Sequence, residues 1–236
     1  MSIYIYQNWS RGYSELQSEK ITIKNRINFY KSPNNDNDNI TSQKSAKKFL
    51  KTCKNPEAWA KYAYNDKTLM FHVCKMSAHH VEAYMEVNRF HGKGNFVYFL
   101  DEHNRVFMDY WFEKQDNGKY FISQMMFFDY INGKTGDDDY TKSWQYNFTP
   151  DGNVAVIIRT KGESQEEVWN SKEPLNVSSN WEDSPEFGNW EGFFTMKRWE
   201  EGEIGAINTS KNQKKYIYKD GNRYYKDEDG NLIEDN

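Results

Sequence analysis

The chain has 236 residues, a formal net charge of −4 and a mean hydropathy of −1.02, yet 17% of it is aromatic, with 17 Tyr, 15 Phe and 8 Trp. That length can bury one substantial core, and so many rings exclude intrinsic disorder, which is aromatic-poor. Two cysteines exclude a disulfide framework as the organising principle, and the absence of both a secretory leader pattern and any apolar run near ~20 residues predicts a soluble, cytoplasmic protein with no membrane segment.

Residues 1–6 and 20–30 read as strands, the second with Ile21, Ile23, Ile27 and Phe29 pointing one way. The run 32–39, Ser-Pro-Asn-Asn-Asp-Asn-Asp-Asn, is turn chemistry, after which Thr41 or Ser42 caps a short helix reaching about Cys53. A second helix is predicted over 55–64. Asn55 is the N-cap, Pro56 fits the first helical position, Glu57 suits the first turn, and Trp59 with Tyr62 or Ala63 faces inward.

From Lys67 the period changes to two. Strands are predicted at 68–75, 80–90, 95–100, 105–113, 119–130, 140–148 and 153–161, separated by turns rich in Gly, Asn and Asp. Joins this short force antiparallel neighbours. The expected fold is mainly β with minor α: an antiparallel up-and-down meander forming a barrel or strongly curved sheet, with two short helices near the N-terminus. Closure is expected because open sheet edges leave backbone unpaired. Phe71, Tyr84, Phe96, Tyr98, Phe107, Trp111, Phe121, Phe127 and Trp144 are expected to line its interior.

Beyond Lys161 the pattern loosens. Residues 164–171 read as a short helix or frayed strand, 173–190 as loop with Pro174 and Pro185, 192–199 as alternating again, and 215–226 as a hairpin turning at Asp220-Gly221. No repeat or flexible linker divides the chain. A single domain, 1–236, is expected, with strands and helices in 1–66, the meander in 67–162, and an acidic aromatic segment with the hairpin in 163–236.

Catalytic patterns fail one by one. His79 and His80 are adjacent, so on a strand they point to opposite faces; His72 and Cys74 share a face but need His80 or His91 to complete a metal site. Asp137-Asp138-Asp139 lacks EF-hand spacing, and Gly133-Lys134-Thr135 lacks the upstream glycine of a phosphate loop, so both read as a solvated hairpin tip. Asp109, Glu113 and Asp129 lie among rings, but exposed strand faces carry such carboxylates routinely. The expectation is no enzyme, no metal and no cofactor. Lys44, Lys47, Lys48, Lys51 and Lys54 form a cationic helix stripe that reads as a solubilising face and not a nucleic-acid surface, which would carry arginine and interleaved aromatics.

The charge is unevenly spread. Residues 1–100 have a net of +7 and 101–236 a net of −11, and 163–203 alone holds 11 acidic residues against Lys172, Lys197 and Arg198. The same segment carries Trp169, Trp181, Trp190 and Trp199. Rings among carboxylates suit recognition of a basic protein, with aromatic anchors and steering charges. The candidate partner-binding residues are Glu166, Glu167, Trp169, Trp181, Glu182, Asp183, Glu186, Phe187, Trp190 and Glu191.

The stretches Tyr146-Asn147-Phe148-Thr149-Pro150-Asp151-Gly152-Asn153-Val154 and Asn180-Trp181-Glu182-Asp183-Ser184-Pro185-Glu186-Phe187-Gly188-Asn189-Trp190 give the chain a make-up that resembles the cytoplasmic immunity proteins of bacterial contact-dependent inhibition and other polymorphic toxin systems. The resemblance implies a small, acidic, enzyme-free, monomeric antidote whose partner is a cognate basic protein toxin, a nuclease, with no nucleic acid or membrane bound. The Phe-x-x-Asp-Gly turn is also similar to that of lipocalin-like barrels, which implies the alternative of a carrier for a small apolar ligand.

Overall fold

The structure is a computed structural model that describes residues 3–31, 40–78, 80–88, 93–130 and 140–199, together with three further strands between 213 and 234. The readings made for 32–39, His79, His91, the tip 131–139, the turn at Asp220-Gly221 and the acidic residues after Trp199 lie outside the described residues.

In chain order the elements begin with β1 (Ile3–Ile5), β2 (Trp9–Ser10), β3 (Glu15–Leu16), α1 (Glu19–Lys31), α2 (Ile40–Leu50) and α3 (Pro56–Asp66). The meander follows as β4 (Phe71–Ser77), β5 (His80–Asn88), β6 (Gly94–Leu100), β7 (Val106–Lys114), β8 (Tyr120–Tyr130), β9 (Tyr140–Phe148), β10 (Val154–Thr160) and β11 (Gln165–Asn170). After a 3-10 turn at Ser178–Asn180 come β12 (Trp181–Glu182), β13 (Gln213–Lys219), β14 (Asn222–Lys226) and β15 (Leu232–Glu234).

The seven predicted strands stand as β4–β10 where the period-two pattern places them, to within a few residues at their ends, and every pairing is antiparallel. The barrel is not formed. The sheet runs β1-β4-β5-β6-β7-β8-β9-β10-β11-β13-β14-β15 and stays open, with β12 added to β8. Its two edges are three-residue strands, so little unpaired backbone is presented and closure is not needed to protect it.

The stretch 20–30 is a helix, not a strand. Ile23 and Ile27, four apart, pack with buried Thr22, Arg26 and Tyr30, while Ile21 and Phe29 are left exposed. Ile21, Ile23, Ile27 and Phe29 fit the strand period, but only Ile23, Ile27 and Tyr30 fit the helical one; the helix also puts Arg26 within 2.8 Å of the Asn8 side-chain oxygen and the Thr22 hydroxyl 3.0 Å from the Asn8 amide. α3 forms as its signals require: Asn55 accepts from the Ala58 amide at 2.9 Å, Trp59, Ala60 and Ala63 are buried, and Lys67 ends the helix in a left-handed conformation. Of the lysine stripe, all five residues are exposed, while Ala46 and Leu50 are buried.

Alternation splits the rings between two faces. One register row, Val73, Met85, Val97, Tyr110, Met125, Tyr146 and Val156, is buried on the face carrying the main core with Tyr30, Leu50 and Trp59 from the helices. The neighbouring row, Cys74, Tyr84, Tyr98, Asp109, Met126, Gln145 and Ile157, lies on the other face. Tyr84 and Tyr98 therefore belong to a separate cluster under Trp9, whereas Phe71 and Phe121 sit in the main core. The nine rings expected around one interior do not enclose one cavity.

Candidate functional site

Residues 171–199 form a strap with little regular secondary structure, laced across the main-core face by its own side chains. It starts where the Leu175 amide donates to the Gly152 carbonyl at 2.8 Å, and Gly152 is there because its φ is +90° and a Cβ would collide with the Leu175 carbonyl oxygen. The Asn180 amide, fully buried, donates to the Ile122 carbonyl at 3.0 Å. Trp181 packs on Phe121, Phe193 on Phe112, and Trp199 stacks on Phe148 at 5.7 Å. The alternation at 192–199 makes no strand: Phe193 and Phe194 are both buried because a tight turn, Phe193 N–H to the Trp190 carbonyl and Phe194 N–H to the Glu191 carbonyl, points both rings inward.

The ten sequence-predicted residues fall into distinct environments. Trp190 is 0% exposed, with its indole N–H on the Tyr6 hydroxyl at 3.3 Å and its ring edge-on to Phe71 and Tyr64. It is core, and no part of that ring is offered to a partner. Phe187 is half-buried, stacked on Tyr6 at 5.1 Å, and Trp181 and Trp169 are also half-buried against the core. Glu166 and Glu167 are adjacent on β11 and so face opposite sides; Glu166 bonds Arg159, which also donates to Gln145 at 2.8 Å. Glu182 accepts from Arg198 at 2.8 Å, and Arg198 is itself nearly buried, donating also to the Ser179 and Gly192 carbonyls. That carboxylate is structural. Asp183 is 83% exposed and pairs with Lys119 at 2.8 Å; Glu191 is 59% exposed and holds Lys75 at 3.1 Å and the Tyr4 hydroxyl. Glu186 is exposed and has no ion pair among the described residues. The strap thus brings Asp183, Glu186 and Glu191 out to solvent and turns most of its rings inward.

The second face holds what sequence reasoning missed. Asp109 was expected on an ordinary solvated strand face, yet it is 7% exposed between Tyr98 and Met126, and burial pushes its carboxyl up to about 7, opposed by the charge of Arg11. Arg11 lies over the Tyr98 ring at 4.4 Å. The signal available was the alternation itself, which puts Asp109 in register with Tyr98 and Tyr84; what buries it is the β2–β3 hairpin, and no local pattern announces that contact. Nearby, Cys74 is fully buried with its thiol on the Gln7 carbonyl at 3.3 Å, and burial pushes that thiol far up, out of the range in which a reactive thiolate forms. Among the described residues no three His, Cys, Asp or Glu side chains come together to hold a metal ion, and no helix is long and apolar enough to cross a membrane.

Comparison with known proteins finds no matching family model, no matching curated protein and no matching solved structure.

Proposed function

We propose that this chain is an immunity-type binding protein, not an enzyme, which neutralises a cognate basic toxin, a nuclease, in the cytoplasm through the carboxylates of the strap. The observation that carries the reading is the strap's construction: a segment with little regular structure is pinned by buried Asn180, Trp190, Phe193 and Phe194 and leaves Asp183, Glu186 and Glu191 exposed. Charges held in place by core side chains need little ordering on binding, which lowers the entropic cost of association. A nuclease must present cations to engage phosphates, so a fixed acidic surface is complementary to its cleft. Half-buried Phe187 and Trp181 supply the apolar contact beside those charges.

The experiment is protection. The reading frames next to this chain's gene are searched for a secreted toxin with a basic C-terminal domain, and each such domain found is expressed in a sensitive host, with and without the chain. Restored growth with wild type, and weakened protection with Asp183→Lys/Glu186→Lys at equal protein level, is the expected result. Unchanged killing in the presence of folded wild-type chain contradicts the reading.

A further inference from the structure

At the end of the sheet where β5 leaves and β6 begins, a cleft of about 80 Å³ opens between α3, the ends of β7 and β8, and the strap. Its volume accommodates several water-sized groups. The wall chemistry is one-sided: Tyr64, Lys67, Asn88, Asn95, Lys114 and Tyr120 face it, over an apolar floor that includes Val87 and Trp190, and among the described residues no carboxylate lines it. Lys67 and Lys114 are exposed, and neither is paired with a carboxylate among the described residues.

The polar groups are ordered by one another. Asn95, 1% exposed, accepts the Asn88 backbone N–H on its side-chain oxygen at 3.0 Å, which leaves its NH₂ as a donor group beside the Tyr120 phenol in the cleft wall. The Tyr120 hydroxyl has no acceptor among the described residues, so its proton is left to donate. Burial pushes that phenol up, so the proton stays on. Asn88, held at φ +58°, spends one amide hydrogen on the Leu69 carbonyl at 3.2 Å and retains the second. Tyr64 spends its proton on the Pro185 carbonyl at 2.7 Å, which ties the strap to the cleft wall.

We propose that this cleft binds a small free oxyanion, a carboxylate or phosphate group, held by the Tyr120 hydroxyl and the Asn88 amide and drawn in by Lys67 and Lys114. Donors fixed before the ligand arrives, in surroundings largely shielded from water, favour an acceptor that is charged. A cation is disfavoured by two lysines and by the lack of a carboxylate among the described lining residues, and a wholly apolar ligand would leave the Tyr120 hydroxyl and the second Asn88 amide hydrogen without acceptors. The proposed ligand-binding groups, Tyr120, Asn88, Lys67 and Lys114, are none of those the toxin-binding reading uses, although the strap's Ser184, Pro185 and Trp190 also line the cleft.

The test is a titration of the full chain followed through the side-chain amide signals of Asn88 and Asn95 by two-dimensional nitrogen–proton NMR, with inorganic phosphate, acetate and chloride at constant ionic strength. Saturable shifts of both amides with phosphate identify a phosphate site, saturable shifts with acetate a carboxylate site, and either supports the proposal provided chloride gives none. Tyr120→Phe, which keeps the ring against Phe193, should weaken binding about 10-fold or more. Lys67→Gln and Lys114→Gln, at exposed positions that leave folding intact, should each weaken it a few-fold, and less at high salt. Shifts that never saturate, that chloride reproduces, or that all three variants leave unchanged overturn it.

Discussion

The two faces of the sheet use the same alternating strands for opposite ends. On the face under the helices and the strap, the central row from Val73 to Val156 is buried, and rings meet both edge-on or tilted, as Phe112 with Phe193, and stacked, as Phe148 with Trp199. On the other face, Tyr84, Tyr98, Phe96 and Trp111 stack in near-parallel contacts of 4.6–6.0 Å, and further along they give way to half-buried Gln124, Gln145, Asn147 and Arg159. The difference explains how a chain with a mean hydropathy of −1.02 folds at all: hydrophobic burial is concentrated on one face, where rings supply much of the area, and the polar residues of the strands are gathered on the other.

The largest expected effect breaks the packed face. Trp190→Ala removes a fully buried ring and should cost about 3–5 kcal/mol, where Phe96→Ala, half-buried on the second face, should cost clearly less. Paired denaturant titrations measure both, and equal losses would mean that the faces are not distinct.

The next effect sharpens the second face through pH. The unfolded chain releases the Asp109 proton near the ordinary value of 3.8 and the folded chain near 7, so between those values the folded state holds the extra proton. Through this group stability is full below about 4 and falls as pH rises to about 7, by roughly 2–4 kcal/mol. Asp109→Asn should remove that slope and leave the variant more stable than wild type at pH 8. Urea midpoints at pH 4, 5.5, 7 and 8 follow it; parallel profiles for the two proteins would show that Asp109 ionises without cost.

A smaller effect tests how firmly the strap is fastened. Gly152→Ala should cost about 1–3 kcal/mol, from the positive φ and from the collision with the Leu175 carbonyl. Hydrogen exchange should place the loss in the first part of the strap, with the Leu175 and Asn180 amides exchanging faster. Unchanged protection there would mean that the strap is held by its rings alone.

The meander was legible in the sequence because alternation and turn chemistry agree at every join, as at Gln115–Gly118, where Gly118 takes φ +82° and the Gln115 amide bonds the Lys119 carbonyl at 2.8 Å. α3 was legible because its cap, its proline and its inward residues coincide. α1 was not, because Ile21, Ile23, Ile27 and Phe29 alternate as in a strand, while the residues the helix buries include polar Thr22 and Arg26, whose partner Asn8 lies outside the segment. Of the candidate site, the acidity was legible and the direction of the rings was not: the position of Trp190 and Phe193 depends on Tyr6, Phe71 and Phe112, and no local pattern carries that information. The cleft at Asn88, Asn95 and Tyr120 was likewise invisible, since it joins strand ends that only the pairing register brings together.

The most direct measurement is the association rate between this chain and the basic toxin domain that the proposed function requires, for wild type, Asp183→Lys/Glu186→Lys and Trp190→Phe, at low and high salt. Surface reversals should change stability by less than about 0.5 kcal/mol, so any kinetic change is one of recognition. The double reversal is expected to slow association about 10-fold or more at low salt and to converge on wild type as salt rises, while Trp190→Phe, altered only within the core, leaves both rates unchanged. Association that is indifferent to the reversal at every salt concentration, or a Trp190→Phe chain that stays fully folded yet dissociates faster, would contradict a partner surface made of strap carboxylates over a buried aromatic anchor.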